Sequence, residues 1–355
     1  MNPAPRGEPS RPLIGISMGD PLGIGPEVIV KALADPELRG RARFLIFGLH
    51  EVLELAADHA EINPYWWREP YEGLPRVENG VLLADFDEIP WGRTPVQRGP
   101  DELAGELSYR FVDEAVRHLR AGSLDALVTG PICKESWLLA NHRYPGHTDL
   151  LAERFETRRV TMMFVADRLR VALASVHIPL FELRNHFTIG LVHQPIDLLN
   201  TALREWFGVE HPNIGVLGLN PHAGEGGMLG DEEMRIIEPA MTMARNTGIR
   251  VSGPLPADTA FTPDSLRRYD GIVAMYHDQG LIPVKMAAFD RAVNLTLGLP
   301  AIRTSPDHGT AFDIAGKNRA NCGSISEAIR LAIDLAIIRR NTRGCLAAGA
   351  GERAR

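Results

Sequence analysis

Leu13-Ile14-Gly15-Ile16-Ser17-Met18-Gly19-Asp20-Pro21-Leu22-Gly23-Ile24-Gly25-Pro26-Glu27 is an apolar run, a glycine-punctuated loop and a helix start in direct succession. The run Leu13–Ser17 is too short for a helix and reads as a buried strand. Pro26-Glu27, a proline with a carboxylate behind it, opens a helix that the pattern carries to near Asp35-Pro36. The loop between is not G-x-G-x-x-G, so it lacks the dinucleotide fingerprint of a Rossmann unit. Its glycines permit close backbone approach, and a functional loop and a plain strand-to-helix connection fit it equally well.

The rhythm repeats outward from there. Phe44–Phe47 predicts a strand and about Leu49–Asp58 a helix; Asn63–Trp91 is irregular apart from a strand-like Val81–Leu83. A helix is expected over roughly Asp101–Arg120, then a strand Leu124–Thr129 closing on Gly130-Pro131-Ile132-Cys133-Lys134-Glu135. Such alternation specifies an α/β fold with a mostly parallel sheet and helices on both faces. From Thr161 the strands crowd together, and Thr161–Val165 with Leu169–Val176 predicts an antiparallel pair. Helices are expected at about Pro195–Phe207, Asp231–Thr247 and Ser324–Arg340. The change of rhythm near residue 140 marks a boundary, and 355 residues suit two domains. The division expected is 1–138 plus 300–355, a cofactor-side domain, and 139–299, a domain for metal, substrate and dimerisation.

Composition narrows the classes. Apolar content of 45% and charged content of 23% are ordinary for a soluble protein. A net charge of −7 argues against a nucleic-acid partner, while local Arg, Lys and helix N-termini still accommodate small anions. Cys133, Cys322 and Cys345 are scattered, which disfavours a disulfide framework or a thiolate metal site. Met1 to Pro12 lacks the apolar region of a signal peptide and reads as a tail. No apolar run is long enough to span a membrane, so a cytoplasmic location is expected.

Three histidines stand in polar motifs that follow apolar runs: His177 in Ser175-Val176-His177-Ile178-Pro179, His222 in Asn220-Pro221-His222-Ala223-Gly224-Glu225-Gly226-Gly227, and His277 in Tyr276-His277-Asp278-Gln279-Gly280. Any one alone reads equally as a packed or surface residue. Three imidazoles at the carboxyl ends of strands suggest a catalytic metal site with an open position. Their long sequence gaps are unlike the close ligand pairs of structural zinc. Lys285, Asn294 and Arg303 suit a phosphate or carboxylate, against the plainer reading of surface charge. Asn294 lies in an apolar run, where a polar side chain needs a partner. Gly146-His147-Thr148-Asp149 caps a helix or holds a phosphate at its N-terminus. Asp307-His308-Gly309-Thr310 begins a polar loop with free N–H groups.

Together these blocks, with Thr129-Gly130-Pro131-Ile132-Cys133-Lys134, Gly253-Pro254-Leu255-Pro256-Ala257-Asp258-Thr259 and Arg303-Thr304-Ser305-Pro306-Asp307-His308-Gly309-Thr310, resemble the 4-hydroxythreonine-4-phosphate dehydrogenase family of vitamin B6 biosynthesis from about Leu13 to Ile337. The resemblance implies an isocitrate/isopropylmalate dehydrogenase-like two-domain α/β/α fold with mixed sheets. It implies a homodimer with active sites at the subunit interface and metal ligands from both subunits. By the same resemblance His177, His222 and His277 hold a divalent metal (zinc, magnesium or cobalt), and His147, Thr148, Lys285, Asn294 and Arg303 bind the phosphorylated substrate. NAD or NADP lies against His308 and Gly309, and by analogy with the broader fold Asn321 reaches its adenine.

The implied reaction oxidises 4-phosphooxy-L-threonine to 2-amino-3-oxo-4-phosphooxybutanoate, which loses CO2 to give 3-amino-2-oxopropyl phosphate. Lys134 or Lys285 relays the alcohol proton, and the sequence does not choose between them. Two rivals stand beside this reading, and a third, a non-catalytic metal-binding scaffold protein, is disfavoured by the density of polar, site-like loops. One is a paralogue oxidising a four-carbon sugar-acid phosphate (threonate or erythronate 4-phosphate) or a cyclic dihydrodiol carboxylate. The other is a metallohydrolase, since an open metal position also activates water.

Overall fold

The computed structural model describes residues 11–74, 76–89, 91–92 and 98–352, the last ten by backbone alone. The stretch read above as a tail lies, up to residue 10, outside the described residues. The chain divides into two compact units, Met1–Pro145 with His308–Ala336 and Gly146–Asp307 with Ile337–Arg355.

The first unit is built on five parallel strands, β1 (Leu13–Ser17), β2 (Arg43–Gly48), β3 (Trp66–Pro70), β4 (Val81–Asp85) and β5 (Ala126–Thr129), in the order β3-β4-β2-β1-β5. β1, β2, β4 and β5 are almost wholly buried, as expected of parallel strands covered by helices, and their apolar runs were legible for that reason. β3 was not: Trp66-Trp67-Arg68-Glu69-Pro70 is a largely exposed edge strand without alternation, ending in a proline that an edge tolerates. The first helix, Gly25–Leu33, stops short of Asp35, and a second, Pro36–Arg41, begins there. Pro36 forces Asp35 into extended backbone, and the Asp35 carboxylate then caps the new helix by accepting the Glu37 N–H at 2.9 Å.

The second unit carries β6 (Thr161–Ala166), β7 (Leu169–Leu173), β8 (Asn213–Leu217), β9 (Arg250–Leu255), β10 (Gly271–Ala274), β11 (Val293–Leu297) and β12 (Ile302–Pro306) in the order β12-β11-β6-β7-β10-β8-β9. β12, β11, β6 and β7 pair antiparallel, including the pair anticipated from sequence; β7, β10, β8 and β9 pair parallel. The helix expected from Pro195 starts at Ile189, where the Thr188 hydroxyl accepts the Leu191 N–H, and Pro195 lies inside it. The segment expected as one helix over 231–247 divides into a π-turn, Glu233–Ile237, and a helix, Glu238–Asn246. The last helix runs from Gly323 to Glu352, past the anticipated end at Arg340.

The opening loop is held by a buried acid. The Asp20 carboxylate accepts the Leu22 N–H at 2.9 Å and the Ser136 hydroxyl at 3.1 Å, while the Asp20 N–H donates to the Pro131 carbonyl at 2.8 Å. This ties the loop after β1 to the turn after β5. Burial pushes the Asp20 carboxyl up from 3.8 to about 6, against the two hydrogen bonds and with help from the nearby Asp101 carboxylate. The folded state therefore holds this proton more tightly than the unfolded chain. Its contribution to stability is full below the usual carboxylate range and is lost as pH rises through about 6. Asp20→Asn should remove that slope. Between about pH 4 and pH 7 the wild type should lose up to about 3 kcal/mol relative to the variant in denaturant titrations, and a pH-independent difference would refute the burial argument.

Candidate functional site

In the second unit β10 lies parallel between β7 and β8, so the three strands end at one edge of the sheet. The pairing continues past β7, with the Ala174 N–H donating to the Ala274 carbonyl at 2.8 Å and the Ser175 hydroxyl to the Met275 carbonyl at 2.8 Å. His177 follows β7, His222 follows β8, and His277 begins the helix His277–Ala288 directly after β10. All three candidate ligands thus emerge at the carboxyl edge of three neighbouring parallel strands, where such sheets place binding loops.

The His222 segment has unusual backbone. His222, Ala223, Gly224, Glu225 and Gly226 all lie in the left-handed region, with φ between 44° and 78°. Left-handed conformation costs roughly 1–2 kcal/mol for each non-glycine residue, and three of these five carry a Cβ. Gly224 admits no alternative: φ is +78°, and a Cβ there would stand 2.7 Å from Glu233 Oε2. Such a conformation persists only where surrounding contacts over-determine it.

The rings of His177 and His277 are 6.0 Å apart and tilted by 38°. The Asp278 carboxylate sits 2.7 Å from His277 Nδ1, an arrangement that fixes the ring and leaves Nε2 for a ligand bond. Gln279 joins two of the strand ends, accepting the Met275 N–H at 2.7 Å and donating to the Gly218 carbonyl at 2.7 Å. Within a single chain, no group of three His, Cys, Asp or Glu side chains among the described residues is arranged to hold a metal ion. Two imidazoles are brought together; the set of three is not. The donor chemistry fits a divalent ion of zinc or cobalt type once the set is complete.

Two of the candidate substrate residues, Asn294 and Arg303, lie on the adjacent antiparallel strands β11 and β12. Asn294 of β11 is opposite Ser305 of β12, and the Arg303 guanidinium donates to the Thr296 hydroxyl at 3.1 Å, so Asn294, Thr296, Arg303 and Ser305 share one face. Arg303 is only 3% exposed, and burial lowers its guanidinium from 12.5 to about 9, still charged at neutral pH. Asn294 Oδ1 is a buried acceptor with no partner among the described residues. Two residues beyond Ser305, the Asp307 carboxylate pairs with Lys285 Nζ at 2.7 Å. His147 and Thr148 open the helix His147–Arg154.

In the first unit Lys134 begins the helix Lys134–Leu139 after β5 and is exposed. The loops carrying Gly23 and His308 support one another: the Ile24 N–H donates to the Thr310 carbonyl at 2.9 Å, and a Cβ on Gly23 would meet Thr310 at 3.0 Å. His308 Nδ1 lies 3.0 Å from the Gly309 carbonyl, and space is open above Gly309. Asn321 is exposed, and its side-chain oxygen accepts the Gly323 N–H at 2.8 Å at the start of the last helix.

Sequence reasoning passed over three residues here. Asp307 was seen only as part of a polar loop, Gln279 only as part of the His277 motif, and Glu233 only as one acid in an expected helix. Nothing local marks any of them. The sole hint was the glycine-rich His222 loop, whose backbone N–H groups need acceptors from elsewhere.

Comparison with known proteins agrees along the chain. The family described as "Pyridoxal phosphate biosynthetic protein PdxA" matches residues 41–332. The 4-hydroxythreonine-4-phosphate dehydrogenase of Geobacter metallireducens is 43% identical over 343 residues, covering 94% of this chain and 98% of that one. The solved 4-hydroxythreonine-4-phosphate dehydrogenase of Klebsiella pneumoniae superposes with a TM-score of 0.82 at 37% identity, covering 92% of this chain and 98% of that one. A terephthalate 1,2-cis-dihydrodiol dehydrogenase from Burkholderia xenovorans is more distant, with a TM-score of 0.64 at 29% identity over 91% of this chain and 98% of that one. The chain belongs to the PdxA family of pyridoxal phosphate biosynthesis, and the relatives it matches at about 40% identity are named 4-hydroxythreonine-4-phosphate dehydrogenases.

Proposed function

We propose that this chain is a metal-dependent, NAD(P)-linked dehydrogenase of 4-phosphooxy-L-threonine. The observation that carries the substrate class is the face shared by buried Arg303 and Asn294, with Lys285 held nearby through Asp307. A guanidinium buried at a sheet surface is stabilised by a phosphate dianion, which it matches with two parallel hydrogen bonds. Lys285 adds a point charge, Asn294 Oδ1 accepts from a substrate hydroxyl or ammonium, and the N–H groups opening the helix at His147 and Thr148 would donate to phosphate oxygens.

His177, His222 and His277 would hold a divalent ion, and His308 and Gly309, with Asn321, would face the nicotinamide cofactor. Bound there, the two would supply Lewis acidity at the secondary alcohol and an acceptor for its hydride. Asp278 orients the His277 ring, and Lys134 or Lys285 takes the alcohol proton. Loss of CO2 from the resulting β-keto acid needs no further group from the chain.

The functional unit in this reading is a homodimer. Ile282, Met286 and Phe289 recur at i, i+4 and i+7 along the helix that carries His277 and Lys285, and Met286 is 83% exposed. Phe181, after His177, is 96% exposed, and Met228, after His222, is 83% exposed. An apolar surface of this kind around the three histidine loops calls for a second copy, which would also complete the ligand set.

Two measurements test the reading. Purified protein with a divalent metal should reduce NAD+ or NADP+ fastest with 4-phosphooxy-L-threonine; reduction only with threonate or erythronate 4-phosphate would move it to a paralogous role, and no reduction in metal-loaded protein would favour a hydrolase. Arg303→Met should raise KM for the phosphorylated substrate roughly 10–100-fold, and the loss of its bond to the Thr296 hydroxyl should cost stability of about 1–3 kcal/mol. A fall in Tm with unchanged KM would make Arg303 structural instead.

A further inference from the structure

One buried carboxylate lies against the left-handed His222 segment at Gly224 and binds the two residues just before Pro221. Glu233 is 3% exposed, and its Oε1 accepts the N–H groups of Leu219 and Asn220 at 2.7 and 2.8 Å. Its Oε2 accepts from Asn220 Nδ2 at 2.9 Å, and the same Asn220 amide donates to Glu232 Oε2 at 2.7 Å. The glycines on either side leave room for this acid and nothing more: a Cβ on Gly218 would lie 3.1 Å from Glu233 Oε1, and one on Gly224 would lie 2.7 Å from Oε2. Glu233 also opens the π-turn Glu233–Ile237, a widened turn of the kind often found at functional sites, directly before the regular helix Glu238–Asn246. The two N–H groups it binds belong to the residues between β8 and Pro221, so the carboxylate fixes the chain immediately before His222.

We propose that Glu233, acting through Asn220, is the positioning residue that sets the metal affinity of the His222 loop. It touches neither substrate nor ion. It holds an otherwise disfavoured backbone in the one arrangement that presents His222, so the ordering is done before the ion arrives. Without it the loop relaxes toward right-handed or extended backbone, and the ion must impose the geometry at the expense of its own binding. The inference rests on the reading of His222 as a metal ligand, and its test is arranged to separate the two.

The measurement is zinc affinity of the metal-stripped, full-length protein by competition with a chromophoric chelator, with kcat followed as zinc is added back. His222→Ala should abolish tight binding. Glu233→Gln, which exchanges charge-assisted bonds to the Leu219 and Asn220 N–H groups for neutral ones and turns an amide N–H group toward Asn220 Nδ2, should weaken binding roughly 10–100-fold, the range typical of groups that support metal ligands. Its kcat should recover toward the wild-type value at saturating zinc, which general destabilisation would not produce. Asn220→Ala, which keeps the two backbone hydrogen bonds, should give a smaller shift in the same direction and decides the matter if Glu233→Gln fails to fold. Wild-type affinity in Glu233→Gln, or in Asn220→Ala when that variant has to decide, alongside loss of binding in His222→Ala, overturns the role of Glu233 while sparing the metal site. Wild-type affinity in His222→Ala overturns both.

Discussion

The parallel pairing of β10 with β7 on one side and β8 on the other is the constraint on which the second unit depends. Parallel neighbours must be reached by long connections, and all end at the same edge. Three segments distant in sequence therefore deliver their loops side by side, and each delivers a histidine. The helix after β10 does more, presenting His277 at its start and Lys285 two turns on, while its exposed stripe of Ile282, Met286 and Phe289 faces away from the core. One element thus carries a candidate ligand, a candidate phosphate contact and a candidate subunit contact.

The second unit accepts local costs that its fold balances. Five successive left-handed residues at His222 follow directly on Leu219-Asn220, whose N–H groups are bound by a buried acid. Arg303 is buried in β12 with its acidity raised by desolvation. Asn294 leaves an acceptor unmet among the described residues. Each feature would be a defect in a purely structural sheet. Each fits a site organised in advance for a charged, polar ligand, because groups already desolvated and oriented need no rearrangement on binding.

What the sequence revealed follows the range of the forces involved. β1 and the helix start at Pro26 were legible because burial and capping act over a few residues. β3 was hidden because an exposed edge strand carries no apolar signature. The histidines stood out through their motifs, but the 6.0 Å approach of His177 to His277 depends on strand order, which no local pattern encodes. Glu233 and Asp307 were invisible as partners for the same reason: an acid in a helix and an acid in a loop look like solvated charge until the fold brings an N–H group or an ammonium to them.

The central claim is that three loops from one sheet edge supply the ligands of one divalent ion. The most direct test is anomalous diffraction at the zinc edge from crystals of the zinc-loaded protein. The account predicts a single strong peak per subunit, bonded to imidazole nitrogens of His177, His222 and His277 at about 2.0–2.1 Å, with two chains contributing to each set. A peak elsewhere, or an ion held without these histidines, would contradict it.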